Sequence, residues 1–288
     1  MPAARMLSST RPATAIEMTL PFTEIPVRCW STEENGSSRQ DRIATEVPVA
    51  LTYNRVSHVV MMATPADLEE FGLGFSLTEG LIGKVADLED IKVIPRESGL
   101  ELAMTISEEW FDRLAVHRRN MAGRTGCGLC GAENIGQALR TVEPVERQLK
   151  ISDGALQRAV SGLESMQPLQ LQTGAAHGAA WCDSSGDLLR VREDIGRHNA
   201  LDKLIGSLCS AGFNPAEGFA LISSRASYEM VYKAAAVGIE LIAAVSAPTT
   251  LAVKSAIESG VTLAGFARPG RHNVYTFPER ITEQEEPA

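Results

Sequence analysis

Apolar strands alternate regularly with helices in the second half of the chain, and this alternation constrains the fold more than any other feature. Three apolar runs are predicted as strands and two stretches between them as helices, namely Gly218–Ser223, Ser227–Val237, Glu240–Val245, Thr250–Ser259 and Val261–Phe266. Such alternation favours a mainly parallel sheet with helices packed on it, which is an α/β fold. A last strand at Asn273–Phe277 is predicted to run antiparallel, because its connection is too short for a helical crossover.

The first half of the chain predicts a smaller α+β unit. Val47–Tyr53 and Val56–Met62 are predicted as paired strands, and Thr64 followed by Pro65 is typical of the start of a helix, which would run to about Ile82. The chain is therefore divided into a tail with a first strand near Phe22–Cys29 (1–45), an N-terminal α+β subdomain (46–122), a glycine-rich connector (123–150), an α/β domain (151–278) and a C-terminal tail (279–288).

Composition argues against several classes of function. The formal net charge is −9, whereas a nucleic-acid-binding protein normally shows a basic excess on one face. No stretch of about 18 uncharged apolar residues occurs, so no membrane span is predicted. The five cysteines are an odd number, and only one pair is close in sequence, which is typical of a reducing compartment. We therefore expect a soluble, cytoplasmic protein that binds neither nucleic acid nor membranes.

Four segments that follow predicted strands carry residues suited to binding an anion. In an open α/β sheet, ligands bind beyond the carboxyl ends of the strands, where helix N-termini favour anions. The segments are Arg192–Asn199, Ser223–Ser227, Ser246–Thr249 and Phe266–His272. Arginine in three of them suits a phosphate or pyrophosphate in a protein that is acidic overall. A nucleotide-like ligand is therefore predicted, and the arginines expected to bind it are Arg197, Arg225, Arg268 and Arg271.

An ordinary structural role is the alternative for these charged residues. Three arginines have acidic neighbours with which they would form salt bridges, namely Arg192, Arg197 and Arg225 with Glu193, Asp194 and Glu229. Asp194 and Asn199 would then cap the following helix, and His177 would be a buried, hydrogen-bonded histidine. For the last segment, the alternative is that Phe266 packs in the core and the arginines serve a dimer interface.

The spacing of Cys127 and Cys130 in a glycine-rich loop suits three kinds of chemistry. A structural zinc site needs two further ligands at short spacing, but the other cysteines and the five histidines are scattered, so zinc is not predicted. A disulfide redox pair normally lies at a helix N-terminus. Sulfur transfer needs an accessible thiolate on a mobile loop and a second thiol that stabilises or resolves the persulfide. The spacing alone does not separate the last two.

Five motifs together carry a resemblance to a known family. They are Cys127-Gly-Leu-Cys130-Gly131, the run Arg192–Lys203, the run Ser223–Met230, the turn Ser246-Ala-Pro248, and the closing Gly265–Arg271 with Val274-Tyr275. In this order, over about residues 45–278, they resemble the formate dehydrogenase accessory sulfurtransferase family. The Arg192–Lys203 run is the most specific of the motifs.

The resemblance implies a cytidine-deaminase-like α/β domain, used as a homodimer, with a smaller N-terminal subdomain. It implies that a cysteine desulfurase supplies sulfur, that Cys127 carries it as a persulfide, and that Cys130 is the second catalytic thiol. The acceptor would be the molybdenum cofactor with two guanine dinucleotide tails, before its insertion into formate dehydrogenase, and a guanine nucleotide would be its analogue. The segment associated with this cofactor maps to Phe266, Ala267, Arg268, Pro269, Gly270 and Arg271.

The sequence departs from the family pattern at two places, and three rival functions are compared with it. Many relatives have Thr-Gly-Gly where this chain has Thr173-Gly-Ala-Ala176, and an Asn-Gly turn is here Asn54-Arg55. A zinc deaminase requires His-x-Glu and Pro-Cys-x-x-Cys, but His177 is followed by Gly-Ala and Cys127 is preceded by glycine. The other rivals are a thiol-disulfide protein and a cofactor-insertion chaperone without covalent sulfur, which would stay active without Cys127.

Overall fold

A two-stranded polar ribbon begins the part of the chain that the computed structural model describes, residues 19–32, 36–119, 142–146 and 148–283. Strands β1 (Phe22–Cys29) and β2 (Ser37–Ala44) pair antiparallel. The prediction of β1 is confirmed. We did not predict β2, because its sequence, SSRQDRIA, lacks the apolar alternation of a half-buried strand and most of its residues stay exposed.

A four-stranded sheet with two helices packed on it forms the small subdomain. Its elements are β3 (Val47–Tyr53), β4 (Val56–Ala63), α1 (Leu68–Thr78), β5 (Leu88–Arg96), β6 (Gly99–Ile106) and α2 (Glu108–Arg119), and the strand order is β4-β3-β6-β5. The core lies between the sheet and α1, around Leu51, Phe71 and Leu102. The predicted helix start at Thr64 is wrong, because α1 begins at Leu68, with Asp67 as its N-cap.

A six-stranded mixed sheet forms the centre of the second half. The remaining elements are β7 (Ile151–Ser152), α3 (Asp153–Leu163), α4 (Pro168–Thr173), β8 (His177–Asp183), β9 (Leu188–Asp194), α5 (Arg197–Ser210), β10 (Gly218–Ile222), α6 (Tyr228–Ala236), β11 (Leu241–Ala244), α7 (Thr250–Ser259), β12 (Thr262–Arg268), β13 (Arg271–Val274) and β14 (Ile281–Thr282). The order in the large sheet is β13-β12-β11-β10-β8-β9. Only β10, β11 and β12 are parallel, whereas β8, β9 and β13 pair antiparallel. The predicted α/β fold class is confirmed, but the sheet is mixed rather than mainly parallel, because short connections add β9 and β13 as hairpin strands and β8 pairs antiparallel with β10.

Helices cover both faces of this sheet. One buried cluster joins α5, α6 and α7 to one face, around Leu204, Met230 and Ile242. A second cluster joins α3 to the other face, around Leu156 and Phe219. The strands β10 and β11 are buried along their whole length, which explains their continuous apolar sequence. No helix in the described ranges is long and apolar enough to cross a membrane.

Two glycines let the small subdomain pack closely against the large one. A Cβ atom on Gly74 of α1 would lie 1.8 Å from the carbonyl oxygen of Asp202, and one on Gly206 of α5 would lie 1.9 Å from the carbonyl oxygen of Glu70. Both obstacles are backbone atoms, which cannot rotate away as a side chain can. The helices α1 and α5 therefore cross with their backbones nearly in contact, and this crossing fixes how the two subdomains meet.

The first prediction concerns this crossing. Gly206→Ala is expected to lower the free energy of unfolding by about 1–3 kcal/mol, because the added methyl group forces the two backbones apart. Gly162→Ala in α3 is the matched control, since the new methyl group would meet only the terminal methyl group of Leu188. That control should be neutral or stabilising by up to about 1 kcal/mol, the helix propensity of alanine over glycine. Urea denaturation compares the variants, and equal effects would contradict the backbone contact.

Candidate functional site

The carboxyl ends of the parallel strands bring the predicted anion-binding segments to one edge of the large sheet. The segments Ser223–Ser227 and Ser246–Thr249 follow β10 and β11, and Phe266 lies near the end of β12. Because β8 runs antiparallel to β10, its first residue, His177, lies at the same edge, opposite Asp194 of β9. The four segments are therefore neighbours, as the topological argument predicts.

Backbone hydrogen bonds join these segments into a continuous rim. The nitrogen of Ser223 donates to the carbonyl of Gly178 at 2.9 Å, and the Ser223 hydroxyl accepts from the nitrogen of Gly178 at 2.9 Å. Thr249 donates to the carbonyl of Ala226 at 3.0 Å. Phe266 donates to the carbonyl of Ser246 at 3.0 Å. Each loop is thus held by the next, which gives the edge a defined backbone.

Two histidines and one arginine lie together at the β8 end of this rim. Nε2 of His198 lies 2.6 Å from Oε2 of Glu229, an ion-pair contact with poor hydrogen-bond angles. Burial raises the pKa of Glu229, but the contact with His198 and the nearby positive charges outweigh burial and lower it. Burial lowers the pKa of half-buried His177, and the positive charge of Arg197 lowers it further. His177 is therefore neutral near pH 7, beside a permanent positive charge.

Two buried polar atoms at this end have no partner among the described residues. They are Nε of Arg197 and the hydroxyl oxygen of Ser227. Ser227 is the N-cap of α6, yet its side chain accepts no capping hydrogen bond, and the N-cap of α5, Gly196, has no side chain to do so. Buried polar groups normally have hydrogen-bond partners. An oxyanion at the two helix N-termini would supply them.

The salt bridges proposed as the structural alternative are not those that form. Arg192 binds the carboxylate of Glu70 in α1, with both oxygens accepting, rather than Glu193 or Asp194. Elsewhere, Asp194 pairs with Lys203, and Glu193 accepts from the backbone at the start of α4. Within the described ranges, no carboxylate lies at ion-pair distance from the four arginines predicted to bind the ligand, Arg197, Arg225, Arg268 and Arg271.

The segment Phe266–Arg271 is a hairpin that extends β12 beyond the rim. Phe266 has a φ angle of 52° within an irregular stretch of the β12–β13 ladder and is 37% exposed, whereas the next residue, Ala267, is fully buried. Phe266 does not pack in the core, which removes that alternative. Irregular, strained strand positions with exposed side chains are common beside functional sites.

Arg268 and Arg271 lie opposite each other at the tip of this hairpin. The tip rests on α3, because the nitrogen of Gly270 donates to Oε1 of Gln157 at 2.7 Å and the same side chain contacts Nδ1 of His272 at 2.9 Å. These two arginines are thus on the β12 side of the rim, whereas Arg197 is on the β8–β9 side and Arg225 lies between. The structure places all four arginines along one edge rather than in one pocket.

The length of the rim limits the size of a ligand that contacts both sides. Four neighbouring strand pairs separate β12 from β9, and strands in a sheet lie about 4.8 Å apart, so the rim is roughly 19 Å long. A single phosphate cannot reach from Arg197 to Arg271 over that distance. An extended ligand with several phosphates, such as a dinucleotide, fits the spacing.

Sequence reasoning missed the structural role of several charged residues in the Arg192–Lys203 run. Asp194 and Lys203 form an ion pair of 2.7 Å with both side chains inaccessible to solvent. Asp202 accepts hydrogen bonds from Lys233 and is also buried. One feature of the sequence could have indicated these buried charges. Charged residues occur in a stretch of α5 that also carries the apolar core residues Leu201, Leu204 and Ile205.

The cysteine pair Cys127 and Cys130 lies outside the described residues. Of the cysteines that are described, burial raises the pKa of Cys209 to about 11 and raises the pKa of Cys182 well above its usual range. Both are poor thiolates at neutral pH. In the described ranges, no group of three or more His, Cys, Asp or Glu side chains is placed to hold a metal ion.

Comparisons with known proteins identify relatives of this chain. The sequence model of the FdhD/NarQ family matches residues 44–282. The sulfur carrier protein FdhD of Cupriavidus necator is 51% identical over 244 residues, which cover 85% of each chain. The protein of the same name from Bordetella petrii is 47% identical over 246 residues, 85% of this chain and 88% of that one.

A solved crystal structure is also similar. It is described as that of a candidate formate dehydrogenase accessory protein from Desulfotalea psychrophila, and it has a TM-score of 0.71 with 25% sequence identity. The match covers 91% of this chain and 100% of the other. The family profile spans both subdomains, and the relatives match most of the chain. The chain therefore belongs to the FdhD/NarQ family.

Proposed function

We propose that this protein is a cytoplasmic sulfur carrier that accepts sulfur from a cysteine desulfurase on Cys127 and transfers it to the molybdenum cofactor of a formate dehydrogenase. Its relatives named sulfur carrier protein FdhD support the sulfur-carrying role. The observation that carries the rest of the proposal is the rim of arginines without a carboxylate partner among the described residues, which suits the two guanine dinucleotide tails of that cofactor. By resemblance to its family, we propose that the protein acts as a homodimer.

The sulfur step is an exchange between a thiolate and a persulfide. The thiolate of Cys127 attacks the outer sulfur of the desulfurase persulfide, the sulfur–sulfur bond of the donor breaks, and the donor thiolate leaves. A new sulfur–sulfur bond then joins Cys127 to the transferred atom. Intact mass measurement after incubation with a desulfurase and cysteine should therefore show one added sulfur, about 32 Da.

Three observations favour the pair Cys127 and Cys130 for this chemistry over the other thiols. Cys182 and Cys209 have raised pKa values because they are buried, so they are rarely ionised. Cys29 precedes the region 44–282 that matches the family. Glycines flank the pair on both sides, so the backbone there is free to adopt conformations that bring a persulfide to a donor and then to an acceptor.

The cofactor is a substrate in this proposal, and its nucleotide tails would bind along the rim. Arg268 and Arg271 would contact phosphates on the β12 side, where exposed Phe266 is able to stack on a guanine or pterin ring. Arg225 and Arg197 would contact phosphates farther along, with the free Ser227 hydroxyl and the N-termini of α5 and α6. Because the whole chain has a formal net charge of −9, this local group of arginines is the favoured place for an anion.

The second prediction tests the cofactor half of the proposal. GDP, which has the guanine and two phosphates of one tail, is expected to bind the wild-type protein in a calorimetric titration. Arg271→Ala should weaken binding by about 1.5–3 kcal/mol, or roughly ten- to hundredfold, because one charge-assisted phosphate contact is lost.

The matched control for this titration is Arg113→Ala, which removes an exposed arginine of α2 that pairs with Glu109. Its GDP affinity should equal that of the wild type, since α2 is remote from the rim in the small subdomain. An Arg271→Ala protein with unchanged affinity would move the nucleotide site away from the β12–β13 hairpin. Equal weakening in both variants would mean that only the overall charge of the protein matters.

A further inference from the structure

The ion pair between Asp194 and Lys203 is buried, so it affects the surrounding structure more than a salt bridge on the surface does. Neither side chain is accessible to solvent, and Oδ2 of Asp194 lies 2.7 Å from Nζ of Lys203. Replacing a buried ion pair by apolar residues is often neutral or stabilising, because the desolvation of two charges offsets their attraction. Stability alone therefore gives no reason for two charges at this position, and their hydrogen bonds point to a different role.

Asp194 organises the turn that leads from β9 into α5. Its Oδ1 accepts from the nitrogen of Gly196 at 2.7 Å and from Nδ2 of Asn199 at 3.0 Å. Its Oδ2 accepts from the nitrogen of Thr64 at 2.9 Å. With Lys203, four donors converge on one carboxylate, so the position of Gly196, the N-cap of α5, is strongly determined.

Lys203 and Asn199 tie this turn to the small subdomain. The ammonium group of Lys203 donates to the carbonyl of Thr64 at 3.0 Å, and Asn199 donates to the carbonyl of Met62 at 2.8 Å. The nitrogen of Ile195 donates to the hydroxyl of Thr64 at 3.2 Å. The end of β4 and the start of α5 are thus held together by four hydrogen bonds, which involve Thr64, Asp194, Asn199 and Lys203.

We infer that Asp194 and Lys203 are positioning residues, which fix the N-terminus of α5 and thereby the place of Arg197 at the rim. Arg197 follows Gly196 directly and carries the buried Nε that has no partner in the described ranges. The inference rests on the proposed function in one respect, because it takes Arg197 as a ligand-binding residue. The backbone effect itself does not depend on any ligand.

The same helix offers a matched control. Asp202, next to Lys203 in sequence, forms a second buried ion pair, with Nζ of Lys233 at 2.9 Å. That pair ties α5 to α6 and to Thr78 at the end of α1, and it contacts no residue of the turn 194–199. Each double variant removes two buried charges, one of which lies on α5, but only the variant at Asp194 and Lys203 alters the turn.

The test compares Asp194→Asn/Lys203→Met with Asp202→Asn/Lys233→Met by hydrogen-exchange mass spectrometry and by GDP titration. The first variant should exchange the amides of residues 195–199 roughly tenfold faster or more, and it should bind GDP at least about tenfold more weakly, because a binding group displaced by about 1 Å loses much of its effect. The second variant should keep wild-type exchange in these residues and wild-type GDP affinity.

Two results would overturn the inference, and a third would separate it from the proposed function. Equal exchange rates at 195–199 in both variants would make the Asp194 pair an ordinary structural contact. Faster exchange there with unchanged GDP affinity would show that the turn does not serve the nucleotide site. If wild-type protein binds no GDP but the exchange difference is present, the proposed nucleotide site fails while the positioning of the α5 N-terminus stands. Should the first variant not fold, Asn199→Ala removes two hydrogen bonds of the same turn and should speed exchange at 195–199.

Discussion

Cys127→Ala is expected to abolish the activation of formate dehydrogenase and the mass increase of about 32 Da on incubation with a desulfurase and cysteine. The reason is that only Cys127 and Cys130 have glycine neighbours on both sides of the pair and lie inside the family-matched region, and the resemblance to the family assigns the sulfur to the first of them. Loading is measured on the digested protein, where the added sulfur should be on the peptide that contains Cys127. Activation is measured as formate oxidation in cells that lack the native carrier.

Two control variants make this experiment specific. Cys209→Ala removes a partly buried thiol whose pKa is raised to about 11, and it should load sulfur like the wild type. Cys130→Ala should keep sulfur loading but alter transfer, because a thiol three residues away is able to attack the persulfide or to stabilise it. Complete loss of loading in Cys130→Ala would make that residue the acceptor. A Cys127→Ala protein that still activates the enzyme would favour the chaperone without covalent sulfur.

Lys233→Met is expected to lower the free energy of unfolding by about 3–5 kcal/mol, because it leaves the carboxylate of Asp202 buried without its partner. Lys233 is 5% exposed and Asp202 is 2% exposed. The ammonium group also donates to the hydroxyl of Thr78 at 2.9 Å and to Glu79 at 3.0 Å. Chemical denaturation of the two proteins at pH 7 measures the difference.

The pH dependence and a double variant distinguish this effect from a loss of packing. Burial lowers the pKa of Lys233, but the negative charges of Asp202 and Glu79 outweigh burial and raise it above its ordinary value. Because the pKa of Lys233 is higher in the folded state, its charge stabilises the fold by a constant amount at any pH below the pKa of lysine in the unfolded chain, about 10.4. This stabilisation is lost only as pH rises through the pKa of Lys233 in the folded state. Burial raises the pKa of Asp202 even beside Lys233, and removing Lys233 raises it further. The difference between wild type and Lys233→Met should therefore become smaller as pH falls and Asp202 of the variant takes up a proton, whereas a loss of packing would not depend on pH.

Asp202→Asn/Lys233→Met should recover much of the stability that Lys233→Met loses, since no unpaired charge of the pair remains. Equal destabilisation of the single and double variants would contradict the ion-pair interpretation. It would indicate that the stem of the Lys233 side chain, rather than its charge, supplies the stabilisation.

Local sequence pattern was sufficient to predict most elements of the large sheet. Strand β10, for example, is buried along its length and reads as an uninterrupted apolar run, and α7 begins and ends at the predicted residues. Strand β2 was not predicted because it is polar and exposed. The predicted start of α1 at Thr64 failed because the carbonyl of Thr64 accepts from the nitrogen of Ala66 and from Lys203, 139 residues away, and does not begin the helical hydrogen bonds.

Topology was also sufficient to predict that the arginine-bearing segments share one edge, because loops that follow parallel strands must converge. The pairing of charges at that edge was not predictable. Arg192 has acidic residues next to it in sequence, yet it binds Glu70 in the other subdomain, and the neighbouring carboxylate of Asp194 is occupied by Lys203. A neighbour in sequence is one of many possible partners for a long side chain, and only the packing of α1 on α5 selects among them.

The sequence by itself determined the α/β class, the order of the strands and helices in the second half, and the residue types at the ends of the parallel strands. These properties follow from hydrophobic periodicity and chain connectivity, which are local. Only the tertiary structure decided which charges are buried and paired, that Phe266 is exposed rather than in the core, and that Arg197, Arg225, Arg268 and Arg271 have no carboxylate partner in the described ranges. Burial and pairing depend on contacts between residues far apart in sequence, and the close crossing at Gly74 and Gly206 sets those contacts here.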